Sequence, residues 1–402
     1  MPTPLPEALP ADVGLSAEGL ARIDTWLAGL VASQALPGVS TLVARHGKVV
    51  HRSVAGVMDM ASGQPLAFDT IFQMFSMTKP VMAAAMMILH DRGLWSPDDP
   101  IARHLPEFAT VPGPGGTALT HPPTMGELMT HTAGFAYGTG GAAPDATDVA
   151  YRAAGVWKAD GLAEFSRRLA AIPLAYQPGS AWRYSLSMDL QGAVLERLTG
   201  RTLPDFLREE LFAPLGMVDT DFYVPAAKLP RLATLYHKYD VSELTVVARG
   251  GFSRDPRSIP PIPSGGGGLY ATLGDYARFA QMLLDGGALG GVRILTPGSV
   301  ALMTANHLPA AIIDRGVDAG FQRIGPGRGY AFNGAVYFDP PAAGSRVGRG
   351  TYQWDGASGV WFWIDPENDI LFVGMIQRML QDGMPRLQEV AQAMLAEAII
   401  VA

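Results

Sequence analysis

The feature that most limits what this chain can fold into is the placement of its strand-forming runs. Val39 to Arg45 and Lys48 to Ala55 are β-branched runs joined at His46-Gly47, the signature of a hairpin. Comparable runs return near the other end, at Val336 to Phe338, Gly350 to Trp354, Gly359 to Ile364 and Ile370 to Ile376. A helix precedes the first hairpin, with Leu20, Ile23, Leu27, Leu30 and Val31 at helical spacing behind Ser16 and Glu18, and Met384 to Val401 reads as a helix after the last strand. The middle is different. Helices are predicted at Met77 to Arg92, Thr124 to Thr130, Ala163 to Leu169, Leu186 to Thr199, Leu203 to Leu211 and Thr272 to Leu284, punctuated by Pro/Gly segments. The simplest topology is an α/β domain built from both termini, residues 1–75 and 285–402, with a mostly helical domain, 76–284, inserted between them.

Composition removes several functions. Over 402 residues the chain is 48% hydrophobic and 17% charged, which fits a packed globular protein and not a disordered one. A net charge of −7, with 30 Lys and Arg scattered and no basic run, argues against a nucleic-acid partner. With no cysteine there is no disulfide framework, thiol nucleophile or thiolate-bound metal, so any catalyst is built from oxygen and nitrogen. The most apolar segment, Pro80 to Leu89, ends at His90-Asp91-Arg92 and is too short to span a bilayer, so no membrane association is expected. The opening Met1 to Gly14 has neither a basic n-region nor an apolar h-region, which makes the cytoplasm the expected location. Thr110 to Pro123, Phe135 to Asp148 and Asp255 to Gly268 have loop composition and are candidate rims of a site or plain connectors.

The G-x-S-x-G elbow, the H-E-x-x-H helix and the phosphate-binding G-x-x-x-x-G-K-[ST] loop are all missing. What remains is Ser76-Met77-Thr78-Lys79, followed by Pro80 and an apolar helix. At i and i+3 on a helix the hydroxyl and the amine share a face, about 5–6 Å apart at Cβ, with the hydroxyl near unpaired N–H groups. Burial against Met74, Met77 and Met82 would disfavour the ammonium and make the lysine a usable base. The same four residues also fit a capping serine followed by a solvated lysine. Tyr184, on a loop after Gln177-Pro178-Gly179, is the candidate second base, or else a packed aromatic with a bonded hydroxyl. His131 and His121 read as structural or surface residues, and Gly265 to Gly268 as a tight turn before a helix.

The order Ser76-x-x-Lys79, Tyr184-Ser185-Leu186, Trp354-Asp355-Gly356 resembles the penicillin-recognising serine enzymes of the class C β-lactamase fold, most closely their family VIII carboxylesterase branch. Leu128 to Gly134, Pro214-Leu215-Gly216-Met217 and Gly265 to Tyr270 extend that resemblance over nearly the whole chain. It implies a β-lactamase/penicillin-binding-protein-like fold, an antiparallel sheet flanked by terminal helices, with the active site where sheet and helical insertion meet. It further implies that Ser76 is the nucleophile, that Lys79 and Tyr184 act as base and acid, and that the N–H groups of Ser76 and Ala357 form the oxyanion hole.

Departures from the lactamase pattern favour esters. No lysine follows Lys238, so the Lys-Thr-Gly ammonium that meets a lactam carboxylate has no counterpart, and Trp354 stands in its place. Arg349 is near enough in sequence to supply positive charge in its stead, which keeps lactam hydrolysis among the rivals, and Leu186 occupies the position of the second-motif Asn. The chemistry calls for no metal or organic cofactor. The expected activity is hydrolysis of short or small carboxylic esters, the partner being the small-molecule ester. Rivals using the same acyl-enzyme are an acyltransferase, a D-aminopeptidase and a weak β-lactamase; a non-catalytic ligand-binding relative is the rival outside enzymes. Phe135, Tyr137, Trp354, Gly356 and Trp361 are the expected substrate contacts, and Asp355 is left without a role.

Overall fold

The structure is a computed structural model that describes residues 5–138, 145–238, 243–248, 255–319, 322–379, 384 and 386–400. Parts of the Met1–Gly14 opening, the Phe135–Asp148 loop and the Met384–Val401 helix prediction therefore lie outside the described residues.

Helix α1 (Ala17–Ala32) starts where Ser16 accepts a hydrogen bond from the Gly19 N–H, as its sequence signal predicts. Strands β1 (Gly38–Arg45) and β2 (Lys48–Asp59) pair in antiparallel register, and both turn residues, His46 and Gly47, take the positive φ that a tight hairpin demands. After β3 (Gln64–Pro65) and β4 (Ile71–Gln73) the chain enters the helical part: α2 (Thr78–Asp91), α3 (Met125–Met129), α4 (Leu162–Ala170) and α5 (Ser187–Thr199). Strand β5 (Tyr270–Thr272) returns to pair with β4 and leads directly into α6 (Leu273–Leu284). Strands β6 (Arg328–Tyr330), β7 (Ala335–Tyr337), β8 (Tyr352–Asp355), β9 (Trp361–Asp365) and β10 (Ile370–Met375) follow, and α7 (Leu387–Ala398) closes the fold. The main sheet has the order β6-β7-β8-β9-β10-β1-β2-β3, so the C-terminal β10 lies against the N-terminal β1 and the two ends share one antiparallel sheet.

Both faces of that sheet are covered, and the period of two decides which residue goes where. Val39 and Val43 of β1, Trp361 and Trp363 of β9, and Ile370 and Phe372 of β10 pack with α1 and α7. Leu42, Phe362, Ile364, Leu371 and Val373 point the other way, into the core shared with the helices. Helix α6, which the sequence places in the inserted part, packs on β1, β9 and β10. The sequence reading also lacks β6 and the helices Pro297–Thr304 and Ala310–Arg315. These are too short for a hydrophobic period to register. Among the described residues no helix is long and apolar enough to cross a membrane.

Candidate active site

Ser76 sits in a single 3-10 turn, Phe75–Met77, that runs straight into α2. Phe75 just before it holds φ at 44°, a conformation that costs a bulky residue free energy and that the surrounding packing must enforce. The turn brings Ser76 and Lys79 together as the i, i+3 spacing predicts: Lys79 Nζ is 3.1 Å from Ser76 Oγ. Lys79 is not solvated. Its side chain is fully buried, and its amine donates to the Gly266 carbonyl at 2.7 Å. The Tyr184 hydroxyl also donates to Ser76 Oγ, at 2.7 Å, and the Lys79 amine lies 4.5 Å from the centre of the Tyr184 ring.

Burial drives the Lys79 pKa down to about 7, against the pull of the Asp189 and Asp355 carboxylates, which favour the ammonium. Tyr184 moves in the other direction. Burial first, and then Tyr137, push it well above the ordinary tyrosine value, with the Ser76 hydrogen bond a smaller opposing effect. The phenol is therefore neutral across the working pH range, and the lysine is the group that becomes a free amine. The lysine shift is the one its burial beside Met74, Met77 and Met82 leads one to expect.

The two sides of Tyr184 are aromatic. Tyr137 stacks on it nearly parallel, with centroids 5.8 Å apart, and the Trp354 ring lies 6.0 Å away. His131 backs the same ring at 4.8 Å. Its Nδ1 accepts the Ser185 N–H, and burial holds its pKa well below the ordinary histidine value. It makes no hydrogen bond to Ser76 and is a neutral support, as the sequence reading has it. The segment after β8 lies on the backbone beside the nucleophile: Ser358 donates to the Gln73 carbonyl at 2.7 Å, and a Cβ on Gly356 would come within 2.2 Å of the Met74 carbonyl oxygen. That approach explains the glycine. Among the described residues neither the Ser76 nor the Ala357 N–H is taken by another backbone carbonyl.

Three expected features are displaced. Trp361 is on the far face of the sheet, stacked on Phe372 among the residues that meet α1 and α7, because it is one residue out of phase with the site-facing Phe362. Phe135 is a core residue, 1% exposed and edge-on to Phe108. Arg349 is exposed beyond the start of β8, whereas the site lies beyond its end, and its backbone N–H is bound by Glu367. It brings no charge to Ser76.

Sequence reasoning also missed residues that hold the site in place. Gly266 supplies the carbonyl for Lys79, and a Cβ there would sit 2.8 Å from Asp189 Oδ2, so the glycine run lets the backbone pass between α2 and α5. Asp189 anchors this segment through Ser264 and the Gly266 N–H. Asn333 donates to the Lys79 carbonyl at 3.1 Å and exchanges hydrogen bonds with Gln191. The glycine run was the one visible signal; the others have no local motif.

A Ser–Lys–Tyr cluster with a buried lysine and a half-buried serine and tyrosine, set between an antiparallel sheet and a helical layer, is a serine-hydrolase architecture. Residues 23–395 match the family model described as Beta-lactamase, and the chain belongs to that family. Esterase EstB of Burkholderia gladioli is 34% identical over 373 residues, covering 89% of this chain and 90% of that protein. Protein Rv1367c of Mycobacterium tuberculosis is 35% identical over 362 residues, 85% of this chain and 86% of its own. Among solved structures, EstCE1, described as a hydrolase with promiscuous acyltransferase activity, superposes with a TM-score of 0.79 at 27% identity, covering 96% of this chain and 99% of that one. The fold is the β-lactamase/penicillin-binding-protein-like one, and the protein is a serine hydrolase of the family.

Proposed function

We propose that the protein is a family VIII-like carboxylesterase that hydrolyses small or short-chain carboxylic esters through an acyl-enzyme on Ser76. The observation that carries this reading is the placement of Ser76 Oγ between the Lys79 amine at 3.1 Å and the Tyr184 hydroxyl at 2.7 Å. With Lys79 as the free amine, Ser76 gives it the hydroxyl proton while Oγ attacks the ester carbonyl. The Ser76 and Ala357 N–H groups receive the charge that develops on the carbonyl oxygen. Tyr184 gives its proton to the departing alkoxide and is reprotonated from the Lys79 ammonium, which returns the lysine to its free form. Water then attacks the acyl-enzyme, passing one proton to Lys79, and Ser76 takes that proton back as the acid leaves.

The ester preference is supported by what stands beside the nucleophile. Trp354 offers an indole where the lactamases carry a lysine, and the buried, apolar Leu186 replaces an amide side chain. Acyl transfer to an alcohol shares the acyl-enzyme, and EstCE1 carries both activities in its description. The test is a panel of chromogenic acyl esters of graded chain length beside a chromogenic cephalosporin, with and without an added alcohol. Short acyl esters should exceed the cephalosporin in kcat/KM by a factor on the order of 10² or more. Comparable values on both would overturn the ester assignment, and an ester product formed faster than the acid would make the protein a transferase.

A further inference from the structure

Asp189 takes no step in that mechanism, yet it is a fully buried carboxylate in the first turn of α5, a costly place for a charge unless its neighbours use it. Its side chain reaches across to the glycine run, where Oδ1 accepts from the Ser264 hydroxyl and from the Gly266 N–H, the latter at 3.2 Å. Gly266 in turn gives its carbonyl to the Lys79 amine at 2.7 Å. A single residue therefore joins the carboxylate to the base. It lets the carboxylate come close, since a Cβ there would lie 2.8 Å from Asp189 Oδ2.

The far end of the run is fixed to the residues that flank Ser76. The Met74 N–H donates to the Leu269 carbonyl at 2.9 Å, and the Leu269 N–H donates to Thr78 Oγ1 at 3.1 Å. Segment 264–269 is thus held by Asp189 on one side and by the nucleophile's own turn on the other, with the carbonyl that aims Lys79 between them. That carbonyl takes one of the amine's donor directions and leaves another for Ser76 Oγ at 3.1 Å. The groups that act on the amine are Asp189 from α5, Asp355 from the end of β8, His131, and the rings of Tyr184 and Tyr137.

We propose that Asp189 is a positioning residue for the base: through Gly266 it holds the Lys79 amine on Ser76, and its negative charge favours the ammonium that forms as Ser76 attacks. The inference rests on Lys79 being the base of the mechanism proposed above. Across the one intervening residue the two charges are about 7 Å apart. At an effective permittivity of about 20, a carboxylate at that distance moves the lysine titration up by roughly one to two pH units.

The experiment measures kcat and KM on a non-ionising ester from pH 5 to 9 for wild type, Asp189→Asn and Asp189→Ala, with the Tm of each. Asp189→Asn keeps the size of the side chain and an oxygen that can accept from Gly266, but loses the charge. Its ascending limb should lie roughly one to two pH units below the wild-type limb near 7. Asp189→Ala also loses the anchor, and its plateau kcat should fall about 10- to 10²-fold while KM changes little. A carboxylate with a structural role alone would lower Tm and leave the limb in place. Should neither variant fold, Ser264→Ala removes a donor to the carboxylate but keeps its charge, and should lower the plateau kcat about threefold or more with the limb unmoved. A wild-type limb near 7 that Asp189→Asn leaves in place, or an unchanged plateau kcat in Asp189→Ala or Ser264→Ala, overturns this inference alone. A wild type with no such limb refutes the Lys79 reading with it.

Discussion

Changing the pH across the lysine titration separates the base assigned here from its competitors. Lys79 is fully buried and its pKa is brought from 10.5 to about 7, a difference of about 5 kcal/mol between its two protonation states. If the free amine is the working base, its fraction is about one tenth at pH 6 and about nine tenths at pH 8, so kcat/KM rises nearly tenfold over that interval and then levels off. No descending limb follows up to pH 10, since the Tyr184 phenol is held well above the ordinary value. An unshifted lysine would instead give about a hundredfold rise over the same interval and continue to climb beyond pH 9. A base such as His131, held well below 6.5, would leave the rate almost flat above pH 7. Steady-state rates on a non-ionising ester from pH 5 to 9.5 distinguish the three. Lys79→Arg, whose guanidinium stays protonated, should lose the ascending limb together with a factor of 10² or more in rate. A flat profile between pH 6 and 8, or the same limb surviving in Lys79→Arg, would refute the argument.

Tyr184→Phe removes the proton donor and should lower kcat on the order of 10²-fold while leaving an ascending limb near pH 7, checked by the same profile. Lys79→Met should stabilise the fold most below pH 7. The folded chain then no longer has to bury an ammonium that the unfolded chain binds up to its ordinary pKa of 10.5, so the gain in Tm should fade as pH rises from 7 to 10.5. The gain is bounded at about 5 kcal/mol, less the hydrogen bond to Gly266. Gly266→Ala places a Cβ against Asp189 and should lower kcat with a smaller change in Tm, read from paired kinetic and melting measurements. Trp361→Ala should cost about 3–5 kcal/mol of stability by denaturant titration with no change in ester preference, because the ring packs on the far face of the sheet.

Much of this was legible beforehand, and the residues show why. The helix–hairpin start, the late strands and the helices α2 to α6 each carry a hydrophobic period or a cap in a stretch of several residues, so their positions could be read within a few residues. Ser76 and Lys79 were legible because one helical turn makes them neighbours. Tyr184, 108 positions from Ser76, was reached only through the ordered motifs of the family. Trp361 was misplaced because proximity to a motif says nothing about phase: one step along a strand exchanges faces, and Trp361 and Phe362 take opposite ones. The Gly266 carbonyl and Asp189 escaped because their work is done through backbone approach and long-range packing, for which no single segment carries a pattern.

The central claim is that Ser76 carries the acyl group, and mass spectrometry after a brief incubation with a serine-directed phosphonate or a slowly turned-over ester tests it most directly. The account predicts one adduct per chain, on the peptide containing Ser76, absent from Ser76→Ala, which should also lose ester turnover. An adduct on a different serine, or turnover that persists in Ser76→Ala, would contradict it.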